Sequence, residues 1–428
     1  MPKYNLIEDL KWRGLIHDTT PNAEEILDKE NITAYLGIDP TADSLHIGHL
    51  VSLIVMKHLQ LAGHRPIIVV GGATGMIGDP SGKSEERNLL NEETLRHNQD
   101  ALKQQISKFL DFSNDKALLL NNYDWTKNYK FLDFIRDFGK HLTINYMLSK
   151  DSVKSRINSK NGISFTEFSY QLLQGYDFYH LFKNNNCKFQ FGGSDQWGNI
   201  TTGIELIRRK LGGEAYGVTF PLITKSDGKK FGKTEKGNVW LDPEKTTPYE
   251  FYQFLLNISD DDAVSFIKIF SFKSKEEIEQ LIALHNEEPH RRTLQKALAE
   301  ELTTTVHGKE ELEKAINASS ILFGKGTKEQ ISSLDEKTFL QIFNGVPIFE
   351  IDKNILKQGI NIVDLLAEKT QIFASKGECR RLMKDNGLSI NQEKQNNQLY
   401  NVTENDLINN KYILIKKGKK NYSLIIAK

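Results

Sequence analysis

The stretch Pro66-Ile67-Ile68-Val69-Val70-Gly71-Gly72 decides the fold class. A short apolar run rich in β-branched residues, ended by glycines, is typical of a strand buried on both faces of a parallel sheet. Upstream, the sequence predicts a strand at 32–38 and a helix that ends near Ala62. Strand, helix, strand and glycine loop form a βαβ unit, so we predict an α/β domain with a doubly wound, Rossmann-like parallel sheet. Ligands bind beyond the carboxyl ends of the strands in such sheets.

The glycine-rich loop at 71–83 matches neither of the common phosphate-binding motifs. A P-loop needs glycine five positions before the Gly-Lys-Ser at 82–84, and that position holds Ile77. No Gly-x-Gly-x-x-Gly occurs in this loop either. The P-loop NTPases and the nicotinamide-dependent dehydrogenases therefore lose their main support.

Length and composition are those of an ordinary globular protein of two or three domains. The chain has 428 residues, and no apolar run approaches the ~20 residues that a membrane helix needs. The first residues lack the apolar core of a signal peptide. The presence of only Cys187 and Cys379 argues against a disulfide scaffold or a structural zinc site. We therefore expect a cytoplasmic protein with no membrane association and no metal ligands.

Two motifs about 180 residues apart suit a nucleoside triphosphate. His46-Ile47-Gly48-His49 opens the predicted helix, with Asp43 or Ser44 as its cap. It places two histidines on one helix face, and Gly48 lets a flat ligand approach the backbone. Lys230-Phe231-Gly232-Lys233-Thr234 offers two lysines that can close over phosphates, and few apolar residues anchor this loop. Each motif is ambiguous by itself: the first is more often a surface, core or metal-site feature, and the second is usually a solvated turn.

A polar stripe marks the helix predicted at 164–183. Tyr170, Gln174 and Asp177 share one face at spacing i, i+4, i+7. Such a stripe is most often the solvated side, but the many Phe, Leu and Tyr residues of this helix favour burial. Buried Asp and Gln side chains need partners, and the ammonium group and hydroxyl of an amino acid ligand supply them. Tyr35, in the first strand, is placed to reach the same pocket.

The remaining segments lead to a predicted division of the chain into three domains and a linker. Residues 91–160 read as a helical insertion, which forms either a partner surface or packing within its own domain. Residues 361–428 carry 12 Lys and Arg against 7 Asp and Glu, which indicates either a polyanion partner or a chance excess of charge. The predicted division is an α/β domain with an inserted helical segment at 1–246, a helical domain at 247–325, a linker at 326–354 and a small α+β domain at 355–428.

Together these segments resemble the bacterial tyrosyl-tRNA synthetases, which are class I aminoacyl-tRNA synthetases. The histidine motif matches the HIGH signature of that class, and the lysine motif matches a degenerate KMSKS loop. The resemblance implies that 1–246 is the catalytic domain and that 247–325 is an anticodon-binding domain, and the segment 355–428 resembles an S4-like RNA-binding domain. The resemblance also rests on Tyr35-x-Gly37-x-Asp39-Pro40-Thr41, Gly78–Lys83, Tyr170-x-x-x-Gln174-x-x-Asp177 and Gly192–Ile200.

The resemblance implies a role for each matching residue. The phenolic hydroxyl of tyrosine would be bound by Tyr35 and Asp177, and the ammonium group by Asp79, Tyr170 and Gln174. The ribose and the activated carboxylate would lie along Gly193, Asp195 and Gln196. Gln196 would also belong to the residues that bind tyrosine. ATP and the adenylate would contact Gly37, Asp39, Thr41, His46, Gly48 and His49. Pyrophosphate would be held by Lys83, Arg87, Lys230, Lys233 and Thr234. The tRNA would contact Arg380, Arg381, Lys384, Lys416, Lys417, Lys419 and Lys420.

One position departs from the family pattern, because many relatives have Cys where this chain has Leu36. Any polar contact to the ribose at that position is lost or replaced.

The implied reaction is the activation of L-tyrosine by ATP, followed by transfer to tRNA(Tyr). The tyrosine carboxylate attacks the α-phosphate without a general base, and Mg²⁺ travels with ATP. The family implies a homodimer. Two alternatives remain: an adenylate-forming nucleotidyltransferase that does not use tRNA, and a non-enzymatic RNA-binding protein that keeps a synthetase fold. Tyrosine-dependent pyrophosphate exchange distinguishes them.

Overall fold

The computed structural model describes residues 5–81, 90–159, 162–234, 237–322, 328–332, 334–343, 346–418 and 421–428. The chain divides into two compact units. The first comprises Met1–Thr246 and Leu255–Val306, and the second Thr247–Phe254 and His307–Lys428. The first unit thus takes in much of the segment predicted as a helical domain. The four-part division stays a prediction.

A five-stranded parallel sheet forms the centre of the first unit. Its strands are β1 (Thr33–Ile38), β2 (Arg65–Val70), β3 (Leu118–Asn121), β4 (Cys187–Gly193) and β5 (Tyr216–Phe220). The strand order is β3-β2-β1-β4-β5, with every neighbouring pair parallel. The order reverses between β1 and β4, and the crevice beyond the carboxyl ends of these strands is where such sheets bind ligands. The predicted doubly wound fold is confirmed.

Helices cover the sheet and continue beyond it. Their bounds are α1 (Leu6–Trp12), α2 (Ala23–Lys29), α3 (Leu50–Leu61), α4 (Glu92–Ile106), α5 (Tyr123–Thr126), α6 (Phe131–Asp137), α7 (Ile144–Leu148), α8 (Asp151–Ile157), α9 (Phe165–Asn185), α10 (Trp197–Leu211), α11 (Pro248–Leu256), α12 (Asp260–Phe270), α13 (Lys275–Glu287) and α14 (Thr293–His307). The prediction that 91–160 is helical throughout was wrong, because β3 lies inside it. A short hairpin, β6 (Lys233–Thr234) and β7 (Gly237–Asn238), follows β5.

The second unit contains a smaller mixed sheet. Its later elements are α15 (Lys309–Leu322), α16 (Lys328–Ser332), α17 (Glu336–Ile342), β8 (Ile348–Ile351), α18 (Asn354–Lys357), β9 (Ile360–Asn361), α19 (Ile362–Asp364), α20 (Lys376–Lys384), β10 (Leu388–Ile390), β11 (Glu393–Lys394), β12 (Asn401–Val402), β13 (Tyr412–Lys417) and β14 (Asn421–Ala427). The sheet order is β11-β10-β13-β14-β8. Because β8 pairs parallel with β14, residues 348–351 of the predicted linker belong to this sheet.

Candidate active site

A cavity of about 340 Å³ opens at the carboxyl ends of β1 and β4. Its wall combines residues from both halves of the parallel sheet, so the long-range fold assembles it rather than any one segment. All of the side chains predicted to bind tyrosine line it, together with most of those predicted for ATP. The predicted residues in its wall are Tyr35, Gly37, Asp39, Thr41, His46, Gly48, His49, Asp79, Tyr170, Gln174, Asp177, Gly193, Asp195, Gln196 and Lys230.

The two histidines cap their own turn. His46 has extended backbone, and a 3₁₀ turn follows it before α3 begins. Nδ1 of His46 accepts a hydrogen bond from the Gly48 N–H at 3.1 Å, and Nδ1 of His49 accepts one from the His46 N–H at 3.1 Å. The imidazole rings stack with centroids 3.9 Å apart. Since both Nδ1 atoms accept, the hydrogen of each neutral ring lies on Nε2, which makes Nε2 a donor.

This geometry corrects two expectations. The predicted cap by Asp43 or Ser44 was wrong, because the Ser44 hydroxyl donates instead to the Leu45 carbonyl. The two histidines also do not share a helix face, since both precede α3. The motif therefore presents a stacked pair of imidazole rings at the start of a helix.

Backbone hydrogen bonds bring the lysine loop against the histidine turn. The Val239 carbonyl accepts from the Ile47 N–H at 2.8 Å, and the Val239 N–H donates to the Gly232 carbonyl at 2.9 Å. Gly232 has φ +87°, and a Cβ there would lie 2.4 Å from the Ile47 side chain. Glycine is therefore required for this close approach. Two motifs about 180 residues apart in sequence thus form one wall.

Phe231 anchors the loop. It is 4% exposed, and its ring packs on those of Phe266 and Phe270 in α12, with centroids 4.4 and 5.1 Å away. The expectation that few apolar residues anchor the loop was therefore wrong. Lys230 lines the cavity, whereas Lys233 and Thr234 are exposed in β6 and do not line it. Lys83 and Arg87 lie outside the described residues.

Asp177 is a buried carboxylate with two neutral donors. It is 4% exposed and accepts hydrogen bonds from Nδ2 of Asn122 at 2.9 Å and from Nε1 of Trp125 at 2.8 Å. Burial raises the pKa of Asp177 to about 7, the two donors oppose this rise, and the charge of Asp39 adds to it. A further hydroxyl donor would therefore favour the ionised carboxylate.

Tyr35 and Gln190 present unpaired polar atoms in the same cavity as this carboxylate. They face each other across β1 and β4 and are 1% and 2% exposed. The Tyr35 hydroxyl and Oε1 of Gln190 have no hydrogen-bond partner among the described residues. Burial, followed by the charge of Asp177, raises the pKa of Tyr35 well above its usual value, so the hydroxyl keeps its hydrogen. Buried polar atoms are rarely unpaired, and these two atoms lie in the wall of the cavity, which makes them candidates for ligand contacts.

Acidic and amide side chains form another part of the wall. Oδ2 of Asp79 accepts from Nε2 of Gln196 at 2.7 Å, and the Tyr170 hydroxyl donates to Oδ2 of Asp39 at 2.8 Å. Burial and then the charge of Asp79 raise the pKa of Asp195. This concentration of carboxylates suits a positively charged group.

The rest of the wall is small or apolar. Gly37, Thr41 and Gly193 leave room, and a Cβ at Gly193 would lie 2.6 Å from a carboxylate oxygen of Asp195. Leu36 contributes an apolar side chain where the family pattern has a polar one.

Four wall or supporting residues were missed from sequence: Thr74, Asn122, Trp125 and Gln190. Asn122 and Trp125 lie just after β3, in the segment read as helical. The run Leu118-Leu119-Leu120 followed by Asn121-Asn122 was a signal that could have found a strand with polar residues at its carboxyl end.

The predicted tRNA contacts lie in the second unit. Arg380, Arg381 and Lys384 are exposed on α20. Lys417 is partly engaged, because its Nζ lies 2.7 Å from Glu378 and 4.4 Å from the ring centroid of Phe373. Nζ of Lys416 lies 5.2 Å from the ring centroid of Tyr422. Lys419 and Lys420 lie outside the described residues.

The described part of the chain holds neither a cluster suited to a metal ion nor a helix that could span a membrane. No group of three or more His, Cys, Asp and Glu side chains there is arranged to hold a metal ion. None of its helices combines the length and apolar character needed to cross a membrane.

Comparison with known proteins agrees with this geometry. Residues 27–324 match the family "tRNA synthetases class I (W and Y)", and residues 338–425 match the "Tyrosine--tRNA ligase SYY-like C-terminal domain". The tyrosine–tRNA ligases of Bacteroides thetaiotaomicron and Porphyromonas gingivalis are each 59% identical, covering 99% of this chain and 100% of theirs.

A solved structure shows the same fold. The C-terminally truncated mitochondrial tyrosyl-tRNA synthetase of Aspergillus nidulans is 31% identical, with a TM-score of 0.67, and the match covers 75% of this chain and 94% of that one. The chain therefore belongs to the class I tRNA synthetases of the tryptophan and tyrosine group and, within them, to the tyrosine–tRNA ligases.

Proposed function

We propose that the cavity is where this chain, acting as a tyrosine–tRNA ligase, activates L-tyrosine with ATP. The products are tyrosyl-adenylate and pyrophosphate, and the tyrosyl group then passes to the 3′-terminal ribose of tRNA(Tyr). The observation that supports this site best is the unpaired Tyr35 hydroxyl in the same cavity as the buried Asp177 carboxylate. A phenol hydroxyl pairs both, because it donates to the carboxylate and accepts from Tyr35.

We call Tyr35, Asp177, Asn122 and Trp125 the phenol end of the cavity. The donors from Asn122 and Trp125 hold Asp177 in place, so the pocket does not have to reorganise when tyrosine binds. Phenylalanine would leave the Tyr35 hydroxyl without a partner and would give Asp177 no donor beyond Asn122 and Trp125, and that loss is the physical basis of its rejection.

We call Asp79, Tyr170 and Gln174 the amine end. An ammonium group there would meet the Asp79 carboxylate, the Tyr170 hydroxyl oxygen and the Gln174 amide oxygen. Gln196, which bonds to Asp79, keeps that carboxylate turned into the cavity. Binding both ends of the amino acid leaves its carboxylate toward Gly193 and Asp195.

ATP would lie against the histidine turn and Lys230. The Nε2 donors of His46 and His49 face developing charge on the phosphates, and Lys230 adds a positive charge. The tyrosine carboxylate is already a nucleophile at neutral pH, so positioning and charge stabilisation are enough. We propose that Mg²⁺ enters bound to the triphosphate. Lys83, Arg87, Lys233 and Thr234 stay predicted pyrophosphate ligands.

The C-terminal arginines are proposed tRNA contacts. Arg380, Arg381 and Lys384 lie exposed on one short helix, and phosphate recognition favours such clustered cations. The proposed ATP and tyrosine contacts all precede residue 235, so tyrosine activation does not depend on these C-terminal cations.

We also propose a cytoplasmic homodimer. Helix α6 leaves Phe131, Leu132 and Ile135 exposed by 67%, 77% and 43%, and exposed apolar groups of this size indicate an interaction surface. A Phe131→Asp, Leu132→Asp variant should sediment as a monomer where the wild type is a dimer.

Tyrosine-dependent exchange between ATP and pyrophosphate tests the proposal. We expect exchange with tyrosine, little with phenylalanine and none without amino acid. Charging of tRNA(Tyr) should follow. Exchange that is equally fast with phenylalanine would contradict the assignment of the phenol end.

A further inference from the structure

We propose that Thr74 is a positioning residue that couples the two ends of the tyrosine pocket through its single hydroxyl. On one side it fixes the carboxylate that bonds to Tyr170, and on the other it fixes the amide that holds Asp177. This inference rests on the proposed function of the cavity and deepens it. None of the sequence motifs includes Thr74 in a role.

A continuous series of hydrogen bonds carries the proposal. The Tyr170 hydroxyl donates to Oδ2 of Asp39 at 2.8 Å, and the Thr74 hydroxyl donates to Oδ1 of the same carboxylate at 2.7 Å. Nδ2 of Asn122 donates to the Thr74 oxygen at 3.0 Å and to Oδ2 of Asp177 at 2.9 Å. All five side chains line the cavity. The series therefore links the amine end to the phenol end.

The direction of each bond is fixed. The Ala73 N–H donates to Oδ1 of Asn122 at 2.7 Å. A flipped amide would place its oxygen against the Asp177 carboxylate and its NH₂ group against the Ala73 N–H, so only one orientation satisfies both neighbours. Because the amide nitrogen only donates, the Thr74 oxygen accepts from it and gives its own hydrogen to Asp39. One hydroxyl thus serves both neighbours at once.

The residues around this series of hydrogen bonds are closely packed and exclude bulk water. Thr74 is 4% exposed and Asn122 is 1% exposed, so bulk water does not replace a lost bond. A Cβ at Gly71 would lie 2.0 Å from Oδ1 of Asp39 and 2.4 Å from Oγ1 of Thr74. Glycine at 71 is therefore what lets the backbone pass against this pair.

Thr74→Val is the test, because it keeps the side-chain shape and removes the hydroxyl. Asp39 loses a donor and Asn122 loses an acceptor, so both ends of the pocket loosen together. We expect the KM for tyrosine in pyrophosphate exchange to rise by about 10- to 100-fold, with kcat changed by less than about threefold. Thr74→Ser keeps the hydroxyl and should restore the KM to near the wild-type value.

The pH profile gives a second readout. The titratable groups placed around Asp177 are Asp39, Tyr35 and Tyr176, and burial raises the pKa of Tyr35 well above its usual value and that of Tyr176 to about 12. Neither tyrosine titrates near neutral pH. Burial lowers the pKa of His180, which stacks on Trp125, and the other ionisable residues of the cavity, His46 and His49 among them, are the same in the wild type and in Thr74→Val. The difference between the two acid limbs of kcat/KM for tyrosine therefore reports the carboxylates that Thr74 affects. Thr74→Val should move this limb to higher pH, because a loosened Asn122 no longer favours the charged form of Asp177.

Thr303→Val is the matched control. Thr303 is fully buried in α14, its hydroxyl has no partner among the described residues, and it does not line the cavity. It should leave the KM and the acid limb unchanged.

The outcomes separate the coupling from the function. A Thr74→Val enzyme with wild-type KM and acid limb overturns the coupling alone. Equal losses in Thr74→Val and Thr74→Ser, with equal falls in melting temperature, also overturn it and leave Thr74 a structural residue. Absence of tyrosine-dependent exchange in the wild type overturns the proposed function, and the coupling with it.

Discussion

In the proposed reaction, the phenol end and the Lys230 loop would act on the two substrates by different physical means. At the phenol end, the Asp177 carboxylate is 4% exposed and fixed by two donors at 2.9 and 2.8 Å. In the loop, Phe231 is buried but the side chains of Lys230 and Lys233 are exposed. Selecting an amino acid requires rigid, desolvated polar groups. Stabilising the negative charge that develops on a leaving group requires cations placed where that charge appears. We therefore expect changes at the first region to affect affinity and selectivity, and changes at the second to affect rate.

Removing the phenol-end carboxylate should have the largest effect. Asp177→Ala takes the acceptor from one N–H of the buried Asn122 and from Nε1 of the half-buried Trp125. It also removes the proposed acceptor for the tyrosine hydroxyl. We expect tyrosine-dependent pyrophosphate exchange to fall by roughly 10³-fold or more. Tyrosine against phenylalanine in this enzyme family is itself the standard worked example of such discrimination. Circular dichroism should show a folded protein. Near-normal exchange would remove Asp177 from the tyrosine pocket.

Shortening the first lysine of the loop should have the next largest effect. Lys230→Ala removes a charge that stabilises the transferring phosphates, so the rate of adenylate formation should fall by roughly 10²–10³-fold. Tyrosine affinity should change little, because Lys230 lies in a different part of the cavity wall from the phenol end. Lys229→Ala, a neighbouring exposed lysine that does not line the cavity, is the control. Weaker tyrosine binding with a normal rate at saturation would contradict this role.

Reversing two charges in the C-terminal unit should separate the two steps. Arg380→Glu with Arg381→Glu should weaken tRNA charging by roughly 10- to 100-fold and flatten its dependence on salt. Pyrophosphate exchange should be unchanged. Deleting residues from 356 onward should give a larger loss of the same kind. Equal losses in both assays of a well-folded variant would rule out a specific tRNA role.

Acid pH should weaken tyrosine recognition by a smaller factor. Burial raises the pKa of Asp177 to about 7, so the ionised fraction falls about tenfold between pH 8 and pH 6. The kcat/KM for tyrosine should fall with it, because the neutral carboxyl is a poorer acceptor. Phenylalanine has no hydroxyl to donate to Asp177. The kcat/KM for its weak activation should therefore not fall at acid pH because of this residue. A flat tyrosine profile over this range would show that Asp177 stays charged.

The raised pKa of Asp177 also makes the stability of the folded protein depend on pH, in the opposite direction to tyrosine recognition. Because the folded-state pKa of Asp177 lies above its usual value, folding takes up a proton. Its contribution to stability is complete at acid pH and is lost as pH rises through about 7. Without tyrosine, the wild type should therefore lose more stability than Asp177→Asn over this range in a thermal melt.

Much of the fold followed from periodicity. The apolar run at β2 and the amphipathic pattern at α9 are local, so they predicted the parallel sheet and the helix that carries Tyr170 and Asp177. The edge strand β3 was missed because it has only four residues and all of them are half-buried, so they show no alternation of buried and exposed side chains. The histidine turn was misread because no propensity rule makes histidine a cap, and only the folded geometry shows it.

The sequence predicted the site residues that belong to a recognisable motif. It did not predict residues that hold another site residue in place. Asn122 contributes by holding Asp177, 55 positions away, and Thr74 by joining Asp39 to Asn122. Nothing in their local sequence marks these contacts, because strand order alone brings them together. Leu36 shows the reverse case, because the sequence placed it beside the pocket tyrosine and it does line the cavity.

The most direct test of the contrast between the two regions compares Asp177→Asn and Lys230→Ala side by side. Equilibrium dialysis would give the tyrosine affinity of each variant, and single-turnover kinetics at saturating tyrosine would give its rate of adenylate formation. We predict that Asp177→Asn loses mainly affinity and selectivity against phenylalanine, while Lys230→Ala loses mainly rate. Parallel losses of affinity and rate in both variants would contradict the division of labour between the buried and the exposed parts of the site.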